Sequence, residues 1–465
     1  MRPRKRSPQK RMPAKASSSR FRPPAVVLLS HNQGLIDALK REGLRLIGLF
    51  DPMDASQLSA AQAKDYDERL NVTGYFALES LSAAAVHIAT LGPAQVVCVR
   101  EDLQMAAGLL RELLGQPGAL KRAVQTRDKR AMKAALKGRA PVADFVSLPD
   151  NLGAAEAEAL AQGLGWPLVI KPAAGAAVTN TYFLDGPADL ARRLPLGRLK
   201  QYVQSHHRLL ERRIEGTEHS VDALWQDGRP VYFHVFRYNL PVIIARGAGS
   251  PYVALSSVAP HLHPGLYTQA RRLQAAVNRR LGLRDGLTHM EFFLEPSGRL
   301  VFGEIAHRMG GTYVRECLQR LFNEDPYDLL ARMAAGKELP TLVPRRDLAV
   351  AVVLAAPPRA GMVLSVSTGE EARTWPGVLE ARRLCWPGSL FAAQDVLESS
   401  FEMVLGAPDE AALQRLIPPT AGRLRVRIAS PYAPWSLAMR IVRAWNYWRQ
   451  GKLSWLHLKK KLAGR

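Results

Sequence analysis

The most informative stretch of this chain is Thr288-His-Met-Glu-Phe-Phe-Leu-Glu-Pro-Ser-Gly-Arg-Leu-Val-Phe-Gly-Glu-Ile-Ala-His-Arg-Met-Gly-Gly311. Two short apolar runs flank a Pro-Ser-Gly turn, which predicts a β-hairpin. Glu291 lies on the first run and Glu304 near the end of the second, so both side chains can project from one face. Two carboxylates in an apolar hairpin repel each other unless a cation lies between them. Hard oxygen ligands that leave room for water and phosphate suit Mg²⁺.

The residues after the hairpin favour the same interpretation. Arg308 is a planar cation suited to phosphate or carboxylate oxygens, and Gly310 and Gly311 allow close backbone approach to a ligand. The alternative is a surface hairpin whose acids are solvated. We favour a functional site because paired carboxylates more often mark such sites.

This stretch resembles the metal-binding end of the ATP-grasp superfamily, in which an acid on one strand precedes the pattern Glu-Ile-Asn-x-Arg-x-Gly-Gly. The resemblance implies that Glu291 and Glu304 are metal ligands. Ala306 stands where most members have Asn as a further ligand. The resemblance therefore implies one protein ligand fewer for the metal.

Two upstream segments resemble the phosphate-binding elements of this superfamily. Residues 126–140 predict an amphipathic helix with Thr126 as its N-cap. The helix begins with Arg-Asp-Lys, and the resemblance implies that this lysine, Lys129, reaches the nucleotide phosphates. An apolar strand ends at Lys171, which would contact the α- and β-phosphates, and the small residues 173–181 follow it. From the residues alone, a solvated basic helix and an ordinary surface loop stay open.

Residues 208–222 predict two strands joined by a Glu-Gly turn, and they resemble the hinge and ribose segment of the family. The resemblance implies that Glu211 lies at the adenine amino group and that Glu218 accepts the ribose hydroxyls. The backbone of residues 212–214 would pair with the adenine edge. Phe293 would pack on the adenine face, or it is simply part of the core. The implied nucleotide-binding residues are Lys129, Lys171, Glu211, Arg213, Ile214, Glu218 and Phe293, and the implied catalytic residues are Arg308 and Lys171.

The basic charge of the chain is concentrated in two tails. The 465 residues are 47% hydrophobic and carry a net charge of +23. Residues 1–24 hold nine Lys and Arg, residues 431–465 hold eight, and neither tail contains an acid. The body between them is only modestly basic, which suits an enzyme of anionic nucleotides, and nucleic acid is not expected as a partner.

Residues 25–120 alternate strand and helix signals, which indicates parallel βαβ units. A GxGxxG dinucleotide fingerprint is absent from the first turn. Glu101 follows the strand at 95–99, and the carboxyl ends of parallel strands are where ligands bind in such sheets. We therefore expect an α/β and α+β multidomain protein, in which an N-terminal parallel α/β domain precedes an ATP-grasp fold of two α+β subdomains and a β-rich closing segment.

The expected boundaries follow the changes in pattern. They are a disordered basic tail at 1–24, the N-terminal domain at 25–120, the small and large ATP-grasp subdomains at 121–205 and 206–345, a β-rich subdomain at 346–430 and a basic Trp-rich amphipathic helix at 431–465.

The Trp-rich segment leaves two interpretations open. Its Trp435, Trp445 and Trp448 recur at helical spacing among Arg and Lys. A helix that binds a membrane surface or a partner protein, and a helix packed on the body, both fit this pattern. Three widely spaced cysteines predict buried reduced thiols, and no apolar run is long enough for a signal peptide or a membrane span. We expect a cytoplasmic protein, with peripheral membrane association as the alternative.

The resemblance implies ATP-dependent ligation with Mg²⁺, or alternatively Mn²⁺. A carboxylate would attack the γ-phosphate to give an acyl phosphate, and an amine would displace phosphate to form an amide. The closing Pro-Gly segments resemble the amino-acid ligase and biotin-carboxylase-like branch. Expected partners are small-molecule carboxylate and amine substrates, with amino acids or a small peptide precursor favoured, and a homodimer stays open. The alternatives are biotin-carboxylase-like carboxylation and a non-catalytic nucleotide-binding protein tethered by its tails.

Overall fold

A computed structural model of the chain describes residues 25–149, 152–176, 178–194, 207–392, 394–395 and 398–429. Both basic tails, including the helix expected at 431–465, lie outside the described residues. Across the described ranges, no helix is long and apolar enough to cross a membrane.

The strands are β1 (Ala25–Leu29), β2 (Arg45–Phe50), β3 (Glu68–Asn71), β4 (Ala94–Val97), β5 (Phe145–Leu148), β6 (Leu168–Pro172), β7 (Tyr182–Leu184), β8 (Arg208–Arg212), β9 (Thr217–Gln226), β10 (Arg229–Tyr238), β11 (Tyr252–Ser257), β12 (Gly286–Leu294), β13 (Leu300–Ala306), β14 (Ala349–Ala355), β15 (Gly361–Val366), β16 (Val378–Arg383), β17 (Leu390–Phe391), β18 (Phe401–Ala407) and β19 (Val426–Ala429).

The helices are α1 (Gln33–Arg41), α2 (Pro52–Gln57), α3 (Ala60–Ala63), α4 (Leu78–Thr90), α5 (Gln104–Leu113), α6 (Ala119–Gln125), α7 (Lys129–Leu136), α8 (Ala154–Leu164), α9 (Pro187–Arg193), α10 (Val242–Gly247), α11 (Pro264–Leu281), α12 (Val314–Phe322), α13 (Pro326–Ala334), α14 (Gly369–Arg373) and α15 (Glu410–Ala421).

The N-terminal sheet has the strand order β3-β2-β1-β4, and all of its pairs are parallel. The two central strands, β1 and β2, are short and almost wholly apolar, as expected where both faces of a parallel sheet are covered, whereas the edge strand β3 is polar and partly exposed. The expectation of parallel βαβ units in this region is confirmed.

A four-stranded antiparallel sheet, in the order β5-β8-β6-β7, carries the second of the expected phosphate-binding lysines, Lys171. Lys171 lies near the end of β6, opposite Leu209 of β8, and Val169 lies opposite Glu211. Residues two apart on a strand share a face. This register therefore brings the side chains of Lys171 and Glu211 together on one face of the small sheet.

The largest sheet has eight antiparallel strands in the order β13-β12-β9-β10-β11-β14-β18-β16. The hairpin expected around the Pro-Ser-Gly turn is confirmed as β12 and β13 at one edge. Beyond residue 346, β14, β16 and β18 continue this sheet, whereas β15, β17 and β19 form a separate three-stranded sheet. The boundary expected between 345 and 346 stays a prediction.

One local expectation was wrong. Thr126 does not cap the helix of the Arg-Asp-Lys segment but ends the preceding helix, α6. Asp128 caps α7, because its side chain accepts hydrogen bonds from the backbone amides of Arg130 and Ala131. Both residue types are good N-caps, and the turn between α6 and α7 selects the second.

Candidate active site

All of the site residues expected from the sequence line a single cavity of about 660 Å³. The cavity lies between the small antiparallel sheet and the edge of the large sheet that carries the hairpin. The residues brought together are Lys129, Lys171, Glu211, Arg213, Ile214, Glu218, Glu291, Phe293, Glu304 and Arg308. The structure thus joins positions that are up to 179 residues apart in the sequence, while the role of each residue stays a prediction.

The two hairpin acids lie side by side. Glu291 and Glu304 are directly opposite each other in the register of β12 and β13, so their side chains share a face. The ammonium nitrogen of Lys129 lies 2.8 Å from Oε2 of Glu304. Burial by itself would raise the pKa of Glu304, but the ammonium groups of Lys129 and Lys171 lower it to about 2. Glu304 is therefore a carboxylate at neutral pH.

A buried histidine, which sequence reasoning missed, holds the other hairpin acid. Nε2 of His289 lies 3.4 Å from Glu291, and its Nδ1 lies 3.0 Å from Asp222. Asp222 also accepts a hydrogen bond from the backbone amide of Gly310, at 2.6 Å. Burial lowers the pKa of His289, but the Asp222 carboxylate outweighs it and raises the pKa to about 10. The only sequence signal was the Thr-His-Met-Glu spacing, which puts His289 on the same face as Glu291.

Two lysines share Glu211. Nζ of Lys171 lies 2.6 Å from one carboxylate oxygen, and Nζ of Lys133 lies 3.0 Å from the other. Burial opposes ionisation of Glu211, but both ammonium groups lower its pKa. Sequence reasoning missed Lys133, although it follows Lys129 by one helical turn on α7 and so lies on the same face.

Glu218 is the acid whose environment most opposes ionisation. Its Oε2 accepts a hydrogen bond of 3.2 Å from the backbone amide of Val242. Burial, together with the negative charge of Glu291, raises the pKa of Glu218 to about 8. Acids collected in one cavity without a bound cation repel each other in this way.

Arg308 faces an acid from the N-terminal sheet. Its Nε donates a hydrogen bond of 3.0 Å to Glu101, which also pairs with the buried Arg127. Glu101 lines the cavity, as expected for a residue that follows a strand of the parallel sheet. The carboxylate of Glu101 therefore connects Arg127 with Arg308 at the edge of the cavity.

The donor set fits a hard divalent cation. Two opposed carboxylates supply oxygen ligands, and Ala306 supplies none. Within the ranges that the structure describes, no cluster of three or more His, Cys, Asp and Glu side chains could hold a metal ion. Mg²⁺ is commonly bound by one or two carboxylates, with water and phosphate oxygens as its other ligands. The residues present match that arrangement.

Comparisons with known proteins agree with this geometry. Residues 164–316 match the profile of the ATP-grasp domain family. The L-arginine-specific L-amino acid ligase of Bacillus subtilis is 28% identical over 337 residues, which cover 70% of this chain and 78% of that enzyme.

Solved structures share the fold over most of the chain. An L-amino acid ligase from Bacillus licheniformis has a TM-score of 0.69 at 14% identity, covering 88% of this chain and all of that one. The biotin carboxylase domain of the Hydrogenobacter thermophilus 2-oxoglutarate carboxylase, solved with MgADP and bicarbonate, has a TM-score of 0.59 at 14% identity. It covers 94% of this chain and 97% of that domain.

Residues 164–316 therefore form an ATP-grasp domain, and the fold of most of the chain is shared with an L-amino acid ligase and a biotin carboxylase domain. Enzymes of this family use ATP with Mg²⁺. Both the Bacillus subtilis relative and the Bacillus licheniformis structure are L-amino acid ligases.

Proposed function

We propose that the protein joins the carboxylate of one amino acid to the amine of a second, with conversion of ATP to ADP and phosphate. The observation that carries the proposal is the pair of opposed hairpin acids, Glu291 and Glu304, in one cavity with Lys129 and Lys171. The similarity to the L-arginine-specific L-amino acid ligase supports amino acids as the substrate class.

The proposed reaction has two steps. An oxygen of the substrate carboxylate forms a bond to the γ-phosphorus, and the bond between that phosphorus and the ADP oxygen breaks. The amine then attacks the acyl carbon, phosphate leaves, and the nitrogen loses a proton. In our assignment, Lys129 and Lys171 neutralise the phosphates, and Arg308 orients the substrate carboxylate. Such catalysis relies mainly on positioning and charge neutralisation.

The nucleotide-binding roles are assigned by location in the cavity. Phe293, Ile214 and the backbone of Arg213 would contact adenine, and Glu218 would accept the ribose hydroxyls. Glu211, which has both oxygens bound by lysines, would orient Lys171 towards the phosphates as well as approach the adenine. Glu291 and Glu304 would hold Mg²⁺, which supplies charge neutralisation at the phosphates when bound. Replacement of Mg²⁺ by Mn²⁺ in the assay tests the alternative ion.

ADP release with pairs of amino acids tests this function. We expect release that depends on both a carboxylate and an amine, with an amide product detected by mass spectrometry. Release that requires bicarbonate instead would favour the carboxylation suggested by the shared biotin carboxylase fold. ATP binding without release under either condition would support a nucleotide-binding protein and contradict the proposal.

The role of the Trp-rich segment 431–465 also stays a proposal. We propose that it binds a membrane surface or a partner protein, because its tryptophans alternate with basic residues. Deletion of residues 431–465, followed by liposome sedimentation and a solubility assay, tests this role. Loss of solubility without any liposome binding by the full chain would favour a helix packed on the body.

A further inference from the structure

The far wall of the cavity is built from aliphatic side chains. Val253 and Leu255 of β11 lie opposite Leu354 and Val352 of β14, and alternate residues of a strand share a face. The first residues of α10 and α12 complete the surface. We call it the aliphatic wall, and it consists of Val242, Ile243, Ile244, Val253, Leu255, Val314, Val352 and Leu354.

The aliphatic wall is remote from the residues assigned to adenine. Phe293 lies on β12, and the strand order β12-β9-β10-β11-β14 puts four steps between it and Val352. At about 4.8 Å per step, the separation is roughly 19 Å. One adenine ring therefore cannot contact both Phe293 and the β14 part of the wall, whereas Val242 lies beside Glu218, the residue assigned to the ribose.

Most of the charges of the cavity lie on other elements, and the acid beside the β14 part of the wall is already paired, because Glu402 lies opposite Leu354 and binds Arg382. Most of the lining acids have partners, since Glu304 pairs with Lys129, Glu211 with two lysines and Glu101 with two arginines. None of the wall residues is charged. A guanidinium or ammonium group seated against β11 and β14 would lose water and would have to compete with Arg382 for Glu402, which is unfavourable.

We propose that the aliphatic wall binds the side chain of one of the two amino acid substrates, and that this substrate has an aliphatic or aromatic side chain. The assignment rests on the proposed ligase function. It also separates this chain from the relative named as arginine-specific, with which it shares 28% identity. Leucine, methionine and phenylalanine are suitable members of the expected class.

A substrate panel tests the assignment with the full chain and Mg-ATP. ADP release and product mass are measured for all pairs of Leu, Met, Phe, Ala, Arg, Lys and Asp. We expect Leu, Met or Phe to exceed Arg and Lys in kcat/KM by at least about 10-fold in one of the two positions. Ligation that prefers Arg or Lys in both positions would overturn the assignment while leaving the ligase function intact. Absence of ADP release with every pair would overturn the ligase function, and the assignment with it.

Two variants test whether the substrate side chain binds at the aliphatic wall. Leu354→Ala and Val352→Ala shorten wall residues, and Val353→Ala is the matched control because Val353 packs on the opposite face of β14. We expect the wall variants to raise KM for the apolar substrate about 10-fold, with unchanged affinity for an ATP analogue. An equal rise in KM with Val353→Ala, or weaker ATP-analogue binding in the wall variants, would contradict the assignment.

Discussion

The ammonium nitrogen of Lys133 lies 3.0 Å from the carboxylate of Glu211, and the Lys133 side chain is completely buried. Because Lys171 pairs with the other oxygen of Glu211, the buried carboxylate joins helix α7 to the small antiparallel sheet. Burial lowers the pKa of Lys133, so this contact couples a desolvated amine to a desolvated acid. Removal of one partner of such a pair lowers the free energy of unfolding, because the other charge is left buried without a counter-ion.

Replacement of Lys133 by Met should therefore destabilise the protein. We expect a loss of about 1–3 kcal/mol in the free energy of unfolding, because one oxygen of Glu211 would be left buried without its partner. Urea denaturation measures this loss, and Lys137→Met on the exposed side of the same segment is the control. Equal stability of the two variants would show that the Lys133 contact is unimportant.

Replacement of Glu304 by Ala should abolish most of the ATP-dependent activity. We expect ADP release to fall about 100-fold or more, since the variant loses a metal ligand and leaves Lys129 without its carboxylate. Glu295→Gln is the control, because Glu295 lies at the end of the same hairpin and outside the residues that line the cavity. Unchanged ADP release in Glu304→Ala would refute the metal assignment.

Replacement of His289 by Asn should lower the affinity for Mg²⁺. The affinity for ATP at saturating Mg²⁺ should stay unchanged. His289 joins Glu291 to Asp222, and loss of a group that orients a metal ligand typically costs about 10–100-fold in metal affinity. A Mg²⁺ titration of nucleotide binding and of ADP release measures the shift. His87→Asn, on the exposed side of α4, is the control. An unchanged Mg²⁺ requirement would contradict the prediction.

The contribution of Glu218 to the stability of the ligand-free protein should fall as the pH rises from about 5 to about 8. Glu218 has a folded-state pKa of about 8 against an ordinary value of 4.5. The folded state therefore holds a proton that the unfolded state releases, so the contribution of this group to stability falls with pH across this interval. Burial lowers the pKa values of His219, His234 and His307, which contribute the opposite trend below about pH 6.5. Glu218→Gln cannot ionise, so the Tm of the variant relative to that of the unchanged protein should rise between pH 5.5 and 8.5. Differential scanning fluorimetry of both proteins measures the Tm at each pH. Parallel pH profiles of Tm would show that Glu218 does not cause the pH dependence of stability.

The hairpin register was predictable because its determinants are local. A Pro-Ser-Gly turn between two apolar runs specifies the pairing of β12 with β13 as far as Phe292 and Phe302. A β-bulge between Glu291 and Phe292, which the sequence did not predict, then shifts the register and puts Glu291 opposite Glu304. The parallel N-terminal sheet was predictable for a similar reason, since each strand signal alternates with a helix signal. The prediction of Thr126 as the N-cap failed, because Asp128 can also cap a helix and only the path of the chain from α6 selects one of the two.

The partners of the site residues were not predictable in the same way. His289 meets Asp222 across 67 residues, and Arg308 meets Glu101 across 207. No periodicity connects such positions. Their contacts exist because β9 pairs with β12 in the large sheet and because the N-terminal sheet packs near the end of the hairpin.

By itself, the sequence determined the class of chemistry, because its lysines, acids and arginine follow the order of the ATP-grasp family. Each of these lysines and acids lies on a helix or strand that the local sequence pattern predicts. Only the tertiary structure decided which charges neutralise one another and which wall of the cavity stays apolar. The physical reason is that charge pairing and desolvation act over a few ångströms in space. The residues concerned come close only when the eight strands of the large sheet assemble.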